Sequence, residues 1–394
     1  MQHTNNEILA EKIGTKTVEE SNAFLRKLWS ELSKTKDNGW FYGPYTDTKK
    51  HLIHIGSNNW GRMYFSYKER GSIEMLYFEL SNPCDKQIVK EAIKTALLST
   101  CKIKYEICLN FSNKNGVCIF SQTRHGIMLS SSSTQFSLKY SIYAYSELDL
   151  RYYIQQKLYL ISYFLFVYTK QLFYCDSCHY TQTVSAIEDS SPVEYDYEWF
   201  DPDECPATSN DELILPDEFF RVIKATLDYE VAPNNLSRIE NAVQLIFNVE
   251  ELKNIIHSSP QYNHPGFVDI INTIAVSSLE AISMLEDSDT ETCSACGQTK
   301  YKISQRISDL MGKYLGEYWA KDMKNRLYPN RSKFLHEGRA LTTSFPTQTC
   351  YPLINPYEPN KMLYHNSYID YTLVDFCCYI IRWVIYENID KLHI

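Results

Sequence analysis

The sequence predicts an α+β N-terminal domain followed by an all-α helical bundle. Three observations carry this expectation. Between Met63 and Ala144 several strand-like runs recur, and in the last of them Phe136, Leu138, Tyr140, Ile142 and Ala144 alternate with mainly polar neighbours, the two-residue period of a strand with one wet face. From Phe219 to Val384 the apolar residues recur every three or four positions instead, which puts them on one face of a helix. Between these regions lies an acidic stretch bearing Pro192, Pro202, Pro206 and Pro216, which disfavour regular structure. The expected organisation is an α+β domain over 1–187, an acidic linker over 188–216 and a helical bundle over 217–394.

In order, Leu25, Leu28, Trp29 and Leu32 predict a helix within 7–34, and an Asn- and Gly-rich loop follows to Gly61. Strands are expected at Met63–Tyr67 and Ile73–Leu80. Asp85 can cap a helix to about Ser99, with Ile88, Ala92, Ile93, Ala96 and Leu97 on one face. Strands resume at Ile103–Leu109 and Val117–Phe120 across an Asn-Lys-Asn-Gly turn, and again over Phe136–Ala144. A long helix over 147–174 closes this half. It contains no phosphate-cradling glycine loop and no Ser-His-Asp order.

Past the linker, helices are expected around Phe219–Leu227, from Pro233 through Phe247, over Phe267–Leu285, over Ile303–Tyr318 and over Ile369–Val384. Each has one apolar face, and such faces pack together as a bundle.

The composition, 44% hydrophobic and 22% charged, fits a globular chain with a sizeable core. The N-terminus has neither a basic start nor an apolar run, so no secretory signal is expected. The apolar run Leu158–Val167 is too short to span a bilayer, so no membrane association is expected. Twelve cysteines in that context predict reduced thiols in a cytoplasmic protein. A net charge of −9 argues against indiscriminate coating of nucleic acid. The charge is uneven: residues 188–218 hold twelve Asp or Glu and no Lys or Arg, whereas 300–339 hold ten Lys or Arg against four acids. A solvated linker is one reading of the acidic run; a shield over the basic block is the other.

The basic block contains Leu327-Tyr-Pro-Asn-Arg-Ser-Lys-Phe-Leu-His-Glu-Gly338. Arg331 can hold a phosphate by paired hydrogen bonds at any working pH, and His336 can exchange a proton near neutrality. Pro329 is expected to stop a preceding helix, Asn330 to cap a new turn and Gly338 to end it. On a regular helix five residues separate the two side chains by about 140° and about 7.5 Å along the axis. Two copies facing each other across a dimer would bring them together.

This wording resembles the HEPN-domain ribonucleases, most of all their Apea-like branch. Cys293-Ser-Ala-Cys296-Gly297 and Tyr301-Lys-Ile-Ser-Gln-Arg306-Ile are similar to the same branch. The resemblance covers roughly 217–394 and says nothing of the first half. It implies an all-helical HEPN bundle, a homodimer with a composite cleft, and a metal-independent endoribonuclease. The implied chemistry is attack by a ribose 2′-hydroxyl on the adjoining phosphodiester, leaving a 2′,3′-cyclic phosphate. His336 would act as acid or base, Arg331 would stabilise phosphoryl charge and Ser332 would orient the group. Asn330, Lys333, Lys324, Arg326 and Arg339 are the expected RNA contacts. The implied setting is toxin-like antiphage defence by abortive infection, with tRNA as first substrate and a phage-derived trigger or inhibitor. The N-terminal domain would then sense the trigger or position RNA. The rival is a non-catalytic HEPN scaffold that binds RNA, nucleotide or a protein partner. Lys333 and Glu337 depart from the family pattern, and Glu337 could pair with Arg331 or Lys333.

No cofactor is expected for catalysis. Cys293 and Cys296, followed by glycine, could form half of a structural zinc site, with Cys175 and Cys178 or a dimer mate supplying the rest. Four reduced thiols are the equal alternative. Cys377-Cys378 reads as packing, and His179, His257, His264 and His365 read as surface or loop residues.

Overall fold

The computed structural model describes residues 8–36, 45–47, 52–69, 71–99, 101–132, 135–182, 188–191, 193–229, 232–258, 265–285, 291–292, 299–300, 302–338, 353–355, 358–363 and 367–392. The chain divides into two compact units. One comprises Met1–Glu106, Ser141–Gln155 and Thr181–Val184; the other comprises Ile107–Tyr140, Gln156–Tyr180 and Ser185–Ile394.

The first unit begins with strand β1 (Ile8–Lys12) and helix α1 (Val18–Leu32). The helix expected over 7–34 therefore starts later. Gly14 at φ +71 ends the strand, and a reciprocal cap starts the helix. Thr17 Oγ1 accepts from the Glu20 amide at 3.2 Å, while Glu20 Oε2 accepts from the Lys16 amide at 2.8 Å. Next come β2 (Tyr45–Asp47), β3 (Leu52–Asn58), β4 (Gly61–Glu69), β5 (Ser72–Leu80) and helix α2 (Lys86–Leu98). The strands form an antiparallel sheet in the order β1-β5-β4-β3-β2. Thus part of the stretch expected to be loop pairs into the sheet. Gly61 is required at the turn into β4, because a Cβ there would lie 2.1 Å from the Glu79 carbonyl oxygen. The core joins Phe24, Leu28 and Leu32 of α1, Trp60, strand residues such as Phe78, and Val89, Ala92, Ile93 and Ala96 of α2. Ile88 and Leu97, expected on the α2 core face, are 41% and 44% exposed. They flank the stripe that packs.

The second sheet has the order β10-β6-β9-β8-β7, from β6 (Ile103–Asn113), β7 (Gln122–Arg124), β8 (Ile127–Ser132), β9 (Gln135–Ala144) and β10 (Phe173–Thr181). Val117–Phe120 is not a strand of this sheet; Ile119 makes a single bridge to Leu213. Helix α3 (Glu147–Thr169) ends five residues before the expected Tyr174, and the chain turns at Lys170 into β10. Residues 164–169 of α3 are fully buried, so the C-terminal part of this helix is interior on every side. Glu147, Arg151, Tyr152, Gln155 and Tyr159 leave its N-terminal part with an exposed face.

The C-terminal region is mainly helical: α4 (Asp217–Asp228), α5 (Asn234–Ser258), α6 (Pro265–Ser283), α7 (Ile303–Leu315), α8 (Glu317–Asp322), α9 (Tyr328–Glu337) and α10 (Ser367–Asn388). It is not the all-α bundle expected, because Glu291–Thr292 pairs with Thr299–Lys300 and Leu353–Asn355 with Glu358–Leu363 as short antiparallel ladders between helices. Gly316 at φ +92 divides the helix expected over Ile303–Tyr318. The stripes Leu236–Val249 and Leu373–Ile385 bury as the periodicity requires.

The largest correction concerns residues 188–216. Strands from 107–140 belong to the same compact unit as the C-terminal helices, so no domain boundary falls in the acidic run. The run is a packed strap, with Tyr195, Trp199, Cys205, Leu213, Ile214 and Leu215 all buried. Tyr195 O–H donates to the Tyr168 carbonyl at 3.0 Å, and Trp199 Nε1 donates to the Tyr195 hydroxyl at 3.1 Å. Arg382, 1% exposed, donates to the carbonyls of Val167 and Trp199 and stacks on the Trp199 ring at 3.8 Å. The acids take local partners: Glu198 accepts from Tyr379, Glu218 from Tyr197, and Asp217 faces His125 at 2.9 Å. Charge and proline content pointed to solvent, but the interleaved aromatic residues decide the packing.

Candidate functional site

The Arg-His segment forms the end of a nearly continuous helical path. From α8 the chain passes through a π-helical turn, Met323–Leu327, directly into α9. Pro329 therefore does not stop the helix behind it, and Asn330 is interior to α9 rather than its cap. A proline ring lacks the amide and crowds the carbonyl four residues back. A widened turn relieves that conflict, and the Tyr328 amide reaches the Met323 carbonyl five residues back. Met323 and Leu327 anchor the turn in the interior. Gly338, left-handed at φ +64, ends α9 as expected.

Arg331 turns toward α6. Its Nη2 donates to Glu280 Oε2 at 2.6 Å and lies 3.4 Å from Ser277 Oγ. The two charged side chains are 16% and 21% exposed. The guanidinium also lies 5.7 Å from the Tyr328 ring centre, and its Nε is buried without a hydrogen-bond partner. The contact with Glu280 uses one nitrogen and one oxygen, so the fork that grips a phosphate is only partly engaged. Glu337 is exposed and the pairing considered for it falls to Glu280 instead. Ser277 and Glu280 were not foreseen; their one sequence signal is an i, i+3 spacing on a predicted helix.

His336 is exposed in the last turn of α9, beside Leu335 at 50% exposure. Since α9 is regular across both positions, its geometry sets the two side chains about 140° apart. One copy therefore presents the imidazole to solvent and the guanidinium to α6. Ser332, Lys333 and Asn330 are half-buried along the same helix.

The basic block is partly neutralised. Arg326 grips Asp322 with two hydrogen bonds of 2.7 and 2.6 Å across the π turn. Lys313 pairs with Glu387 at 2.6 Å, and Lys321 approaches Glu317 at 4.0 Å. Lys324 Nζ donates to Gln305 Oε1 at 2.9 Å. Arg326 is thus committed within the fold, while Lys324 and Lys333 keep the positive charge beside α9. Arg339 lies outside the described residues.

Cys293 and Cys296 also lie outside the described residues, as do His264 and His365 and the side chain of His257. Cys175 and Cys178 stand in strand β10, not at a helix end or in a tight knuckle. Burial pushes the Cys175 thiol up to about 11 and raises Cys178 as well. A metal would have to overcome that preference for the neutral thiol. Among the described residues no group of three or more His, Cys, Asp or Glu could hold a metal ion. No helix among them is long and apolar enough to cross a membrane. Comparison with protein-family models, curated proteins and solved structures returned no match.

Proposed function

We propose that the chain is a HEPN-type endoribonuclease that cleaves RNA by 2′-hydroxyl attack. The observation that carries the reading is a single stiff helix presenting an exposed imidazole, His336, five residues after an arginine whose position is fixed by Glu280. His336 moves the proton, Arg331 stabilises phosphoryl charge and Ser332 orients the group. Lys324 and Lys333 supply backbone contacts. The site is completed by a second copy, because α9 directs its two groups to different sides. The substrate class is RNA, with tRNA first, and the setting is toxin-like defence against phage.

One observation favours a second reading. The ion pair with Glu280 compensates Arg331, as a structural arginine in a binding scaffold would require. Incubating wild type, Arg331→Ala and His336→Ala with total RNA in EDTA distinguishes the two. The ribonuclease reading expects new 2′,3′-cyclic phosphate ends from wild type alone, with rates about 10²–10⁴-fold lower in the variants. The same three chains are induced in cells, with and without phage, and growth arrest by wild type alone is expected. Identical RNA profiles and identical growth for all three favour the scaffold.

A further inference from the structure

The second unit contains a cleft of about 420 Å³ whose lining includes neither Arg331 nor His336. It forms where the turn after β6, the joint between α3 and β10, and the C-terminal part of α5 meet. Its size falls within the roughly 300–1,000 Å³ range of small-molecule sites.

Side-chain bonds fix the walls. Asn113 Nδ2 donates to the Leu172 carbonyl at 3.0 Å, and its Oδ1 accepts from the Asn115 amide at 2.6 Å. Asn115 Nδ2 donates to Gln171 Oε1 at 3.0 Å. Lys170 holds a left-handed conformation at φ +57, where glycine is the usual residue, and its nearly buried ammonium pairs with Asp375. Such walls reorganise little when a ligand arrives.

The chemistry inside is mixed. Tyr174 O–H donates to Glu251, and burial together with that carboxylate holds the phenol above its ordinary range as a donor. Its ring is therefore anchored, and Lys114 Nζ stands 5.7 Å from the ring centre. The carboxamides of Gln171 and Asn254 complete the lining with Glu250. A polyamine would meet the exposed Lys114 and find Glu250 already paired with Lys253 at 2.8 Å and Glu251 already held by Tyr174. An apolar ligand would strand the carboxamides, and bare phosphate would face two carboxylates and leave the ring unused.

We propose that this cleft binds a nucleoside monophosphate. The base lies on Tyr174 with its edge toward Gln171 and Asn254, whose amides offer a donor and an acceptor together. Glu251 Oε2 and Glu250 Oε1, the oxygens not engaged by Tyr174 and Lys253, accept from the ribose hydroxyls, and Lys114 takes the phosphate.

The test is calorimetric titration of the full chain with the four ribonucleoside 5′-monophosphates, with ribose 5-phosphate and the matching nucleoside as comparators. At least one nucleotide binds with Kd below about 1 mM. Lys114→Glu, at an exposed position, weakens that binding about tenfold or more while leaving the nucleoside nearly unchanged. Gln171→Ala weakens both. No binding of any nucleotide by a chain with intact circular dichroism overturns the proposal. Equal affinity for ribose 5-phosphate, or a Lys114→Glu variant as tight as wild type, overturns it too. The proposal does not rest on the ribonuclease reading: Arg331→Ala abolishes cleavage there and keeps nucleotide affinity here.

Discussion

The Arg331–Glu280 pair is the contact through which the site can be tested without assuming any activity. Glu280→Gln leaves the guanidinium without its counter-charge, and Arg331→Met leaves the carboxylate without its own. Exposed pairs contribute about 0–1 kcal/mol, and breaking a buried pair costs about 3–5 kcal/mol. At 16% and 21% exposure this pair lies between those limits, which sets its coupling at about 1–2 kcal/mol. The chain has two compact units, so one global unfolding midpoint would blur the effect. Native-state hydrogen exchange of amides in α6 and α9 reads it locally. Each single substitution should lower the opening free energy there by about 1–2 kcal/mol, and the double variant should lose less than the sum. Coupling below about 0.3 kcal/mol, within ordinary additivity, would refute the claim that Glu280 fixes the arginine. A second readout separates function from packing. Under the ribonuclease reading Arg331→Met stops cleavage, whereas Glu280→Gln retains the charged group and some turnover.

Two further outcomes follow from the interior. Among the described residues Arg382 has no carboxylate partner and is held by two carbonyls and the Trp199 ring, so Arg382→Leu leaves both carbonyls without this donor and should cost about 2–6 kcal/mol. Limited proteolysis should then cut within 193–205, and persistence of wild-type resistance there would contradict the packing. The second concerns thiols. Burial pushes Cys205 up to about 12 and Cys378 up to about 11, and also raises Cys377, so each keeps little thiolate at neutral pH. Alkylation followed by peptide mapping should label exposed Cys84 and Cys101 in the native chain and label these three only after unfolding. Labelling of Cys377 at a native rate would show that α10 is packed otherwise.

Much of the fold was legible because periodicity reports burial directly. The stripes of α5 and α10 lie where their spacing put them, and the Asn-Lys-Asn-Gly turn ends β6. The failures have physical causes. An acidic, proline-bearing run looked solvated because net charge is a sum, whereas packing depends on where Tyr195, Trp199 and Leu215 fall within it. Pro329 looked like a stop because the rule concerns α turns, and a π turn evades it. Glu280 stood 51 residues from Arg331, beyond any local pattern. The cleft beside Tyr174 likewise draws on three distant segments, each unremarkable by itself.

These departures bear on the site. Had Pro329 broken the helix, Arg331 would sit in a short independent turn and could swing toward His336. Instead the π turn carries the axis through, and α9 holds both residues on one regular rod. The guanidinium is tied to α6 at 2.6 Å, so rotation of its side chain alone meets the cost of breaking that pair. Convergence within one protomer therefore requires both an unpaired Arg331 and a turn of the helix. A neighbouring protomer bringing its own His336 to this arginine requires neither. This makes the oligomer part of the chemistry under the ribonuclease reading. Mixing Arg331→Ala with His336→Ala chains should then restore cleavage that neither chain shows alone, because a composite cleft can draw one intact group from each. An inactive mixture whose co-purification shows that mixed dimers have formed would place both groups in one chain and undo the geometric argument.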